Sequence, residues 1–320
     1  MGRPSTRRMA RAGAVVRAIL AAACLAATAA ASALTVVDDA GRSVSVERPP
    51  QRVIALAPSL TELVFAAGAG AALIATDRFS DWPPAARSLQ RVGDASRIDV
   101  ERIVGLRPDL VLVWRHGNTL RELAQLEASG VRLFFLEPKR LADVPRAIER
   151  LGALLGHADE AGRRAAEIRD TLERLRRVHQ DAAPVGVYYQ VWSSPLMTVN
   201  HEHLISDVIA LCGGRNVFAG LSSLVPVIST ESVVAAGPQA MFTADREVGG
   251  GVALRRDPQH PAFEVWRRYG KLEAVRRGWL FSLDGDAISR QGPRIVDGAR
   301  AMCKALDLVR DERARPPAGR

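Results

Sequence analysis

Two glutamates recur in matched surroundings 130 positions apart. Glu101 opens the run ERIVGLRPDLVLVW and Glu231 opens ESVVAAGPQAMFTA; in both, a proline follows seven residues later and an apolar segment comes next. A carboxylate at an exposed helix start can accept charge-assisted hydrogen bonds from a cationic partner. Two lobes of similar plan would account for the repeat, and each lobe would then carry one such carboxylate. The alternative is that each glutamate only stabilises its own helix through the helix dipole.

Aromatic side chains make up only 5% of the chain, and several stand near the ends of apolar segments that read as buried strands. Open α/β sheets bind ligands at the carboxyl ends of their parallel strands. We therefore predict ligand contacts from Trp82, Trp114, Tyr188, Tyr189 and Trp192. The alternative is core packing, and strand alternation places one of the two adjacent tyrosines towards the core.

The sequence shows no constellation typical of catalysis. It contains no G-x-S-x-G elbow, no phosphate loop ending in G-K-[ST] and no H-E-x-x-H zinc motif. His201 and His203 could hold a metal in an exported metalloenzyme, but histidines two residues apart diverge on a helix. The sequence therefore favours binding over turnover, and we predict neither a catalytic residue nor a metal nor a resident cofactor.

The first 33 residues have the order of a secretory signal peptide. Five arginines precede an alanine-rich apolar run that ends in Ala31-Ser32-Ala33. We predict cleavage near Ala33 and a periplasmic mature protein; lipidation at Cys24 is the alternative. Cleavage lowers the formal charge of +9 by five, to +4, which gives no argument for nucleic-acid binding.

Cleavage also leaves two cysteines, Cys212 and Cys303, in an oxidising compartment. An even pair in such a compartment is typical of a disulfide, and two buried free thiols are the alternative.

Strand and helix signals alternate along most of the chain, which indicates an α/β fold with parallel sheets. The pattern predicts an N-terminal lobe over 34–158, a single long helix over 159–181 and a C-terminal lobe over 182–310. The helical segment lacks proline, so we expect a stiff connector between the lobes. The polar residues 311–320 are predicted to be a disordered tail.

Five segments together resemble the periplasmic cobalamin-binding proteins of ABC importers, within the helix-linked class of solute-binding proteins. They are RVIALAPSLTELVFAAG, SDWPPAA, ERIVGLRPDLVLVWRHGN, LCGGRNVF and STESVVAAGPQA. The resemblance implies two Rossmann-like lobes, one rigid bridging helix and a ligand cleft between the lobes. It also implies a monomeric receptor that captures cobalamin or a related corrinoid and delivers it to a membrane permease.

The resemblance implies roles for individual residues. Glu101 and Glu231 match glutamates that pair with permease arginines, and Cys212 with Cys303 matches a disulfide. Trp114 matches a cleft tryptophan, and Trp82 replaces the tyrosine that is usual at its position. Asp286 with Arg290 matches a polar pair before the last helix, and we predict ligand contacts from these four residues. Near Ala95 and Val225, however, the aromatic side chains that the resemblance leads us to expect are absent.

The same class also carries haem and ferric siderophores, so a second hypothesis keeps the fold and changes the ligand. In that hypothesis Tyr188 or Tyr189 would be the iron ligand of a bound haem.

Overall fold

The computed structural model describes residues 34–245 and 254–315. The predicted signal peptide, residues 1–33, lies outside the described residues, as does the end of the predicted tail.

The N-terminal lobe begins with a hairpin of β1 (Leu34–Val37) and β2 (Ser43–Val46), as the alternating sequence predicts. Its sheet is parallel and has the strands β3 (Val53–Ala55), β4 (Leu73–Thr76), β5 (Gln90–Arg91), β6 (Leu110–Trp114) and β7 (Leu133–Leu136). Its helices are α1 (Pro58–Ala66), α2 (Val100–Gly105), α3 (Leu120–Ala128) and α4 (Asp143–Leu155).

One long helix, α5 (Ala158–His179), then connects the lobes and matches the predicted connector within two residues at each end. Its 22 residues give a length of about 33 Å. Ala161, Ala165, Ile168 and Leu172 are buried at helical spacing, and Ala161, Ile168 and Leu172 belong to the apolar core that includes residues of both lobes. The helix is therefore packed along its length, which makes it a stiff connection.

The C-terminal lobe repeats the α/β plan. Its strands are β8 (Val185–Gln190), β9 (Trp192–Ser193), β10 (Leu196–Met197), β11 (Gly214–Asn216), β12 (Ala240–Asp245), β13 (Leu254–Arg256) and β14 (Leu280–Asp284). Its helices are α6 (Leu204–Leu211), α7 (Thr230–Ala236), α8 (Glu273–Arg277), α9 (Gly285–Ser289) and α10 (Ile295–Ala314). The segment Pro261–Arg268 is a 3-10 helix.

The strand orders explain why the sequence repeats itself. In the N-terminal lobe β3 lies between β4 and β6, with β7 beyond β6. In the C-terminal lobe β8 lies between β11 and β12, with β14 beyond β12. The two runs that begin at Glu101 and Glu231 supply α2 with β6 and α7 with β12, so they occupy equivalent places in the two lobes. The predicted fold of two similar α/β lobes joined by one helix is confirmed.

The predicted disulfide is also confirmed. Cys212, at the end of α6, is bonded to Cys303 in α10 across a sequence separation of 91 residues. In the chain-entropy account, a closed loop of this length contributes on the order of 4 kcal/mol to stability.

The predicted disordered tail begins too early, because α10 continues to Ala314. Glu312 explains the extension: it accepts hydrogen bonds from Trp279 Nε1 at 2.8 Å and from Arg256 at 2.6 Å, and these contacts hold the last turns on the sheet. Across the described ranges, no helix combines the length and the apolar composition that crossing a membrane requires.

Candidate functional site

A cavity of about 330 Å³ lies between the lobes, where parallel strands of both sheets end. From the N-terminal lobe it is lined by residues that follow β3, β4 and β5 or end β6, among them Leu56, Pro58, Asp77, Phe79, Ala95 and Trp114. From the C-terminal lobe it is lined by Ala244, Gly285, Asp286, Ser289 and Arg290. The cavity occupies the position in the sheets where this type of fold binds ligands.

Trp114 is half-buried in the cavity wall, as the sequence predicts for a cleft residue. Asn118 holds the turn that carries it, since Asn118 Oδ1 accepts from the Trp114 backbone N–H at 2.9 Å. The Asn118 amide in turn donates to Leu56 O at 3.1 Å, which joins the ends of β6 and β3. Gly117 packs on the indole: a Cβ there would stand 1.7 Å from the ring. The RHGN segment therefore fixes the orientation of the tryptophan.

A buried ionic cluster joins the lobes beside the cavity. Glu62 of α1 has a fully buried side chain, and its Oε1 accepts from Arg290 at 3.0 Å. Arg294 donates to the same carboxylate from Nε at 3.1 Å and from Nη2 at 2.7 Å. Both arginines belong to the C-terminal lobe, so one carboxylate of the N-terminal lobe holds two guanidinium groups of the other.

Arg290 and Asp286 both line the cavity, but most of their bonding capacity is used within this cluster. Arg290 also pairs with Asp81 and with Asp286, each at 2.9 Å. Burial opposes the charged form of Arg290, yet the hydrogen bonds to Asp81 and Glu62 outweigh it and raise the pKa. The guanidinium predicted as a ligand anchor is therefore already engaged by three carboxylates.

A second polar contact joins the described residues of the two lobes. Arg140, just before α4, forms an ion pair with Asp207 of α6 and donates to His201 O at 3.1 Å. The backbone N–H of Leu141 also donates to Asp207, at 3.1 Å. The lobes thus meet through α5 and through two separate polar contacts.

Trp82 and Trp192 are exposed and do not line the cavity. Trp82 is 43% exposed, and the Arg294 guanidinium lies 5.4 Å from the centre of its ring. Trp192 is 61% exposed in the hairpin of β9 and β10, where its Nε1 donates to Ser194 O at 2.9 Å. Trp82 therefore contacts the ionic cluster, whereas the described residues give Trp192 no contact with the cavity.

The structure corrects the placement of Tyr188 and Tyr189, because it buries both side chains. The ring of Tyr188 packs edge-on against Phe218 and Trp266, and Tyr189 lies in the core on the opposite face of the sheet. Since β8 lies inside a parallel sheet with both faces covered, alternation buries both residues. Burial raises the pKa of both hydroxyls, which disfavours the phenolate form that binds ferric iron.

Glu101 and Glu231 are exposed, each as the second residue of a short helix. The caps are equivalent: Asp99 accepts from the N–H of the third helical residue of α2, and Ser229 does so for α7. Hydrogen bonds from its own backbone N–H and from the hydroxyls of Ser229 and Thr230 lower the pKa of Glu231. Both glutamates are therefore available to a partner at equivalent places on the two lobes.

Sequence reasoning missed several cavity residues, among them Asp77 and Phe79. Asp77 directly follows β4, and its Oδ1 accepts from Ser80 Oγ at 2.7 Å and from the Phe79 N–H at 3.2 Å. This turn presents Phe79, which is 41% exposed, at the cavity. Their position after a parallel strand is the same signal that identifies Trp114 and could have found them.

The histidines considered for a metal have other roles. His203 caps α6 by accepting from the Ile205 N–H at 3.2 Å, and burial lowers its pKa to about 4. His201 is exposed and contacts Ala219 O through Nδ1 at 2.9 Å. Among the residues described, no group of three or more His, Cys, Asp or Glu side chains could hold a metal ion.

Two α/β lobes, one rigid bridging helix and a cavity at the facing strand ends define a helix-linked solute-binding protein. Residues 53–287 match the family model of periplasmic binding proteins, and the chain belongs to this family. It is thus a solute-binding protein of the periplasmic class and not an enzyme.

Individual relatives are similar over most of their length. A vitamin B12-binding protein of Photorhabdus laumondii is 35% identical over 268 residues, which cover 83% of this chain and 91% of the relative. The crystal structure of the periplasmic vitamin B12 binding protein of Vibrio cholerae gives a TM-score of 0.71 at 32% identity, with 82% and 98% of the two chains covered. A periplasmic haem-binding protein from Roseiflexus has a TM-score of 0.68 at 24% identity, covering 81% and 98%, and shows the shared fold alone.

Glu62→Gln tests the inter-lobe cluster. We expect a loss of about 3–5 kcal/mol in the free energy of unfolding, because the change removes the buried carboxylate charge that pairs with two guanidinium groups. Asp81→Asn removes an exposed partner of the same Arg290 and is expected to cost about 0.2–1 kcal/mol. Urea unfolding followed by circular dichroism measures both. Equal effects of the two substitutions would contradict the structural role of Glu62.

Proposed function

We propose that this protein captures cobalamin or a related corrinoid in the inter-lobe cavity and delivers it to an ABC importer. The observation that carries the proposal is the site itself: an oriented tryptophan and apolar side chains at the facing strand ends of two lobes. A large ligand with an apolar body suits such walls, with a few polar groups fixing its orientation. The similarity to proteins named for vitamin B12 binding supports the same ligand class.

The haem hypothesis has weaker support at this site. Tyr188 and Tyr189, its candidate iron ligands, are buried in the core of the C-terminal lobe. The haem-binding relative described above is similar in fold only.

The remaining parts of the proposal concern export and delivery. Residues 1–33 would be removed as a signal peptide, and the mature chain would act in the periplasm as a monomer without a lipid at Cys24. Glu101 and Glu231 would dock with arginines of the permease, one lobe on each half of a two-fold partner. Their equivalent, exposed positions on α2 and α7 support this assignment.

Calorimetric titration of residues 34–320 with cyanocobalamin, beside hemin and a ferric siderophore, tests the ligand. We expect one-to-one binding of cyanocobalamin. Trp114→Ala should weaken it by about tenfold or more, because the change removes a central aromatic wall. Trp192→Ala should keep the dissociation constant for cyanocobalamin within about threefold of the wild-type value, since an exposed residue outside the cavity contributes little to binding. Uptake of hemin or siderophore without cyanocobalamin would refute the ligand assignment.

Glu101→Ala with Glu231→Ala tests docking. In vesicles that contain the cognate importer, we expect cobalamin uptake to fall by about tenfold or more, because two charged contacts are lost. The dissociation constant for cobalamin should not change. Glu167→Ala with Glu173→Ala removes two exposed carboxylates from α5 instead and should transport normally. Normal transport by the Glu101/Glu231 variant would rule out the docking role.

A further inference from the structure

The charge of the cavity wall distinguishes between classes of ligand. Among the described residues that line it, three are charged: Asp77, Asp286 and Arg290. Arg290 is shared among Glu62, Asp81 and Asp286, and its side chain is only 11% exposed. Among the described lining residues, the arginine is therefore held by neighbouring carboxylates, and the other two charged side chains that a ligand meets are acidic.

Asp77 is the acidic lining residue without a direct ion pair. Its residue is 2% exposed, yet it lines the cavity, and in the described part of the chain no Lys, Arg or His nitrogen lies within 4.0 Å of its carboxylate, although the charges of Arg290 and Arg91 act on it from a greater distance. Its Oδ1 is occupied by Ser80 and by the Phe79 N–H. Burial raises the pKa of Asp77, while the hydrogen bonds from Ser80 and the Phe79 N–H and the charges of Arg290 and Arg91 act in the opposite direction and favour the carboxylate. Buried groups of this kind, facing a cavity, are candidates for function.

The carboxylate is also held in place. Ser80 Oγ lies 2.8 Å from Thr61 Oγ1 and 2.7 Å from Thr76 Oγ1, and all three hydroxyl-bearing residues are buried. This hydroxyl cluster connects α1, β4 and the turn after β4. Asp77 is thus a fixed hydrogen-bond acceptor at the cavity and not a mobile surface side chain.

A fixed carboxylate can distinguish ligands by the chemical group that each ligand places against it. Corrinoids carry neutral carboxamide side chains around the ring, and an amide N–H can donate to a carboxylate. Haem, and corrinoids whose amides have been hydrolysed, carry carboxylates that a like charge repels. We propose that Asp77 is a specificity-determining residue that accepts a hydrogen bond from a ligand carboxamide and rejects a carboxylate at the same place. This inference rests on the proposed corrinoid-binding function.

The test compares matched ligands on the mature protein. Dissociation constants are measured for cyanocobalamin and for each of its isomeric monocarboxylic acids, in which one peripheral propionamide is hydrolysed. We expect at least one isomer to bind about tenfold or more weakly than cyanocobalamin, as a like-charge contact requires. Asp77→Asn keeps an acceptor for Ser80 and Phe79 but removes the charge. In this variant, the ratio of the dissociation constant of that isomer to the dissociation constant of cyanocobalamin should fall below about threefold.

Asp94→Asn is the control, since it removes the same charge from a nearby residue that does not itself line the cavity, and it should keep the wild-type ratio. Equal binding of cyanocobalamin and every acid isomer to the wild type would overturn the role of Asp77 and leave corrinoid binding in place. An unchanged ratio in Asp77→Asn would also overturn it. Failure of the wild type to bind any corrinoid would overturn the proposed function and, with it, the assignment of Asp77. The wild-type ligand comparison does not depend on the folding of any variant.

Discussion

A carboxylate that solvent does not reach, Glu62, holds the two lobes against each other. A buried charge of this kind is tolerated when it is paired and hydrogen-bonded, and here both partners, Arg290 and Arg294, come from the opposite lobe. Separation of the lobes would strip these groups of their partners. Together with the packed helix α5, the cluster therefore sets the relative position of the two sheets and the width of the cavity between them.

The chemistry of the cavity follows from the same constraint. Because Arg290 serves the inter-lobe cluster, it is not free to neutralise an anionic ligand. The remaining wall combines the oriented indole of Trp114 and other apolar surface with the carboxylate of Asp77. Such a site favours a large, neutral, amide-bearing ligand over one that carries carboxylates. The same few charged residues thus contribute both to the stability of the structure and to the selectivity for the ligand.

The sequence predicted the features that depend on local pattern. Alternating strands and helices, the long connector and the equivalent positions of Glu101 and Glu231 all follow from periodicity, turn residues and spacing. Trp114 was predicted because a polar turn follows a buried strand. Long-range packing decided the rest: Glu62 lies in an apolar helical stretch, TELVFAAG, and its partners are 228 and 232 residues away. Likewise, both adjacent tyrosines of β8 are buried because helices cover both faces of that sheet, which local alternation does not reveal.

The central claim, that Glu62 fixes the lobes around a preformed cavity, is tested most directly by the distance between them. Spin labels on exposed Leu120 and exposed Glu264 would report it by double electron–electron resonance, with and without cyanocobalamin. We predict a narrow distribution in the otherwise wild-type protein that shifts by less than about 2 Å on binding, and a broader one in Glu62→Gln. Identical distributions with and without the Glu62→Gln change, or a large closure on binding, would contradict the account.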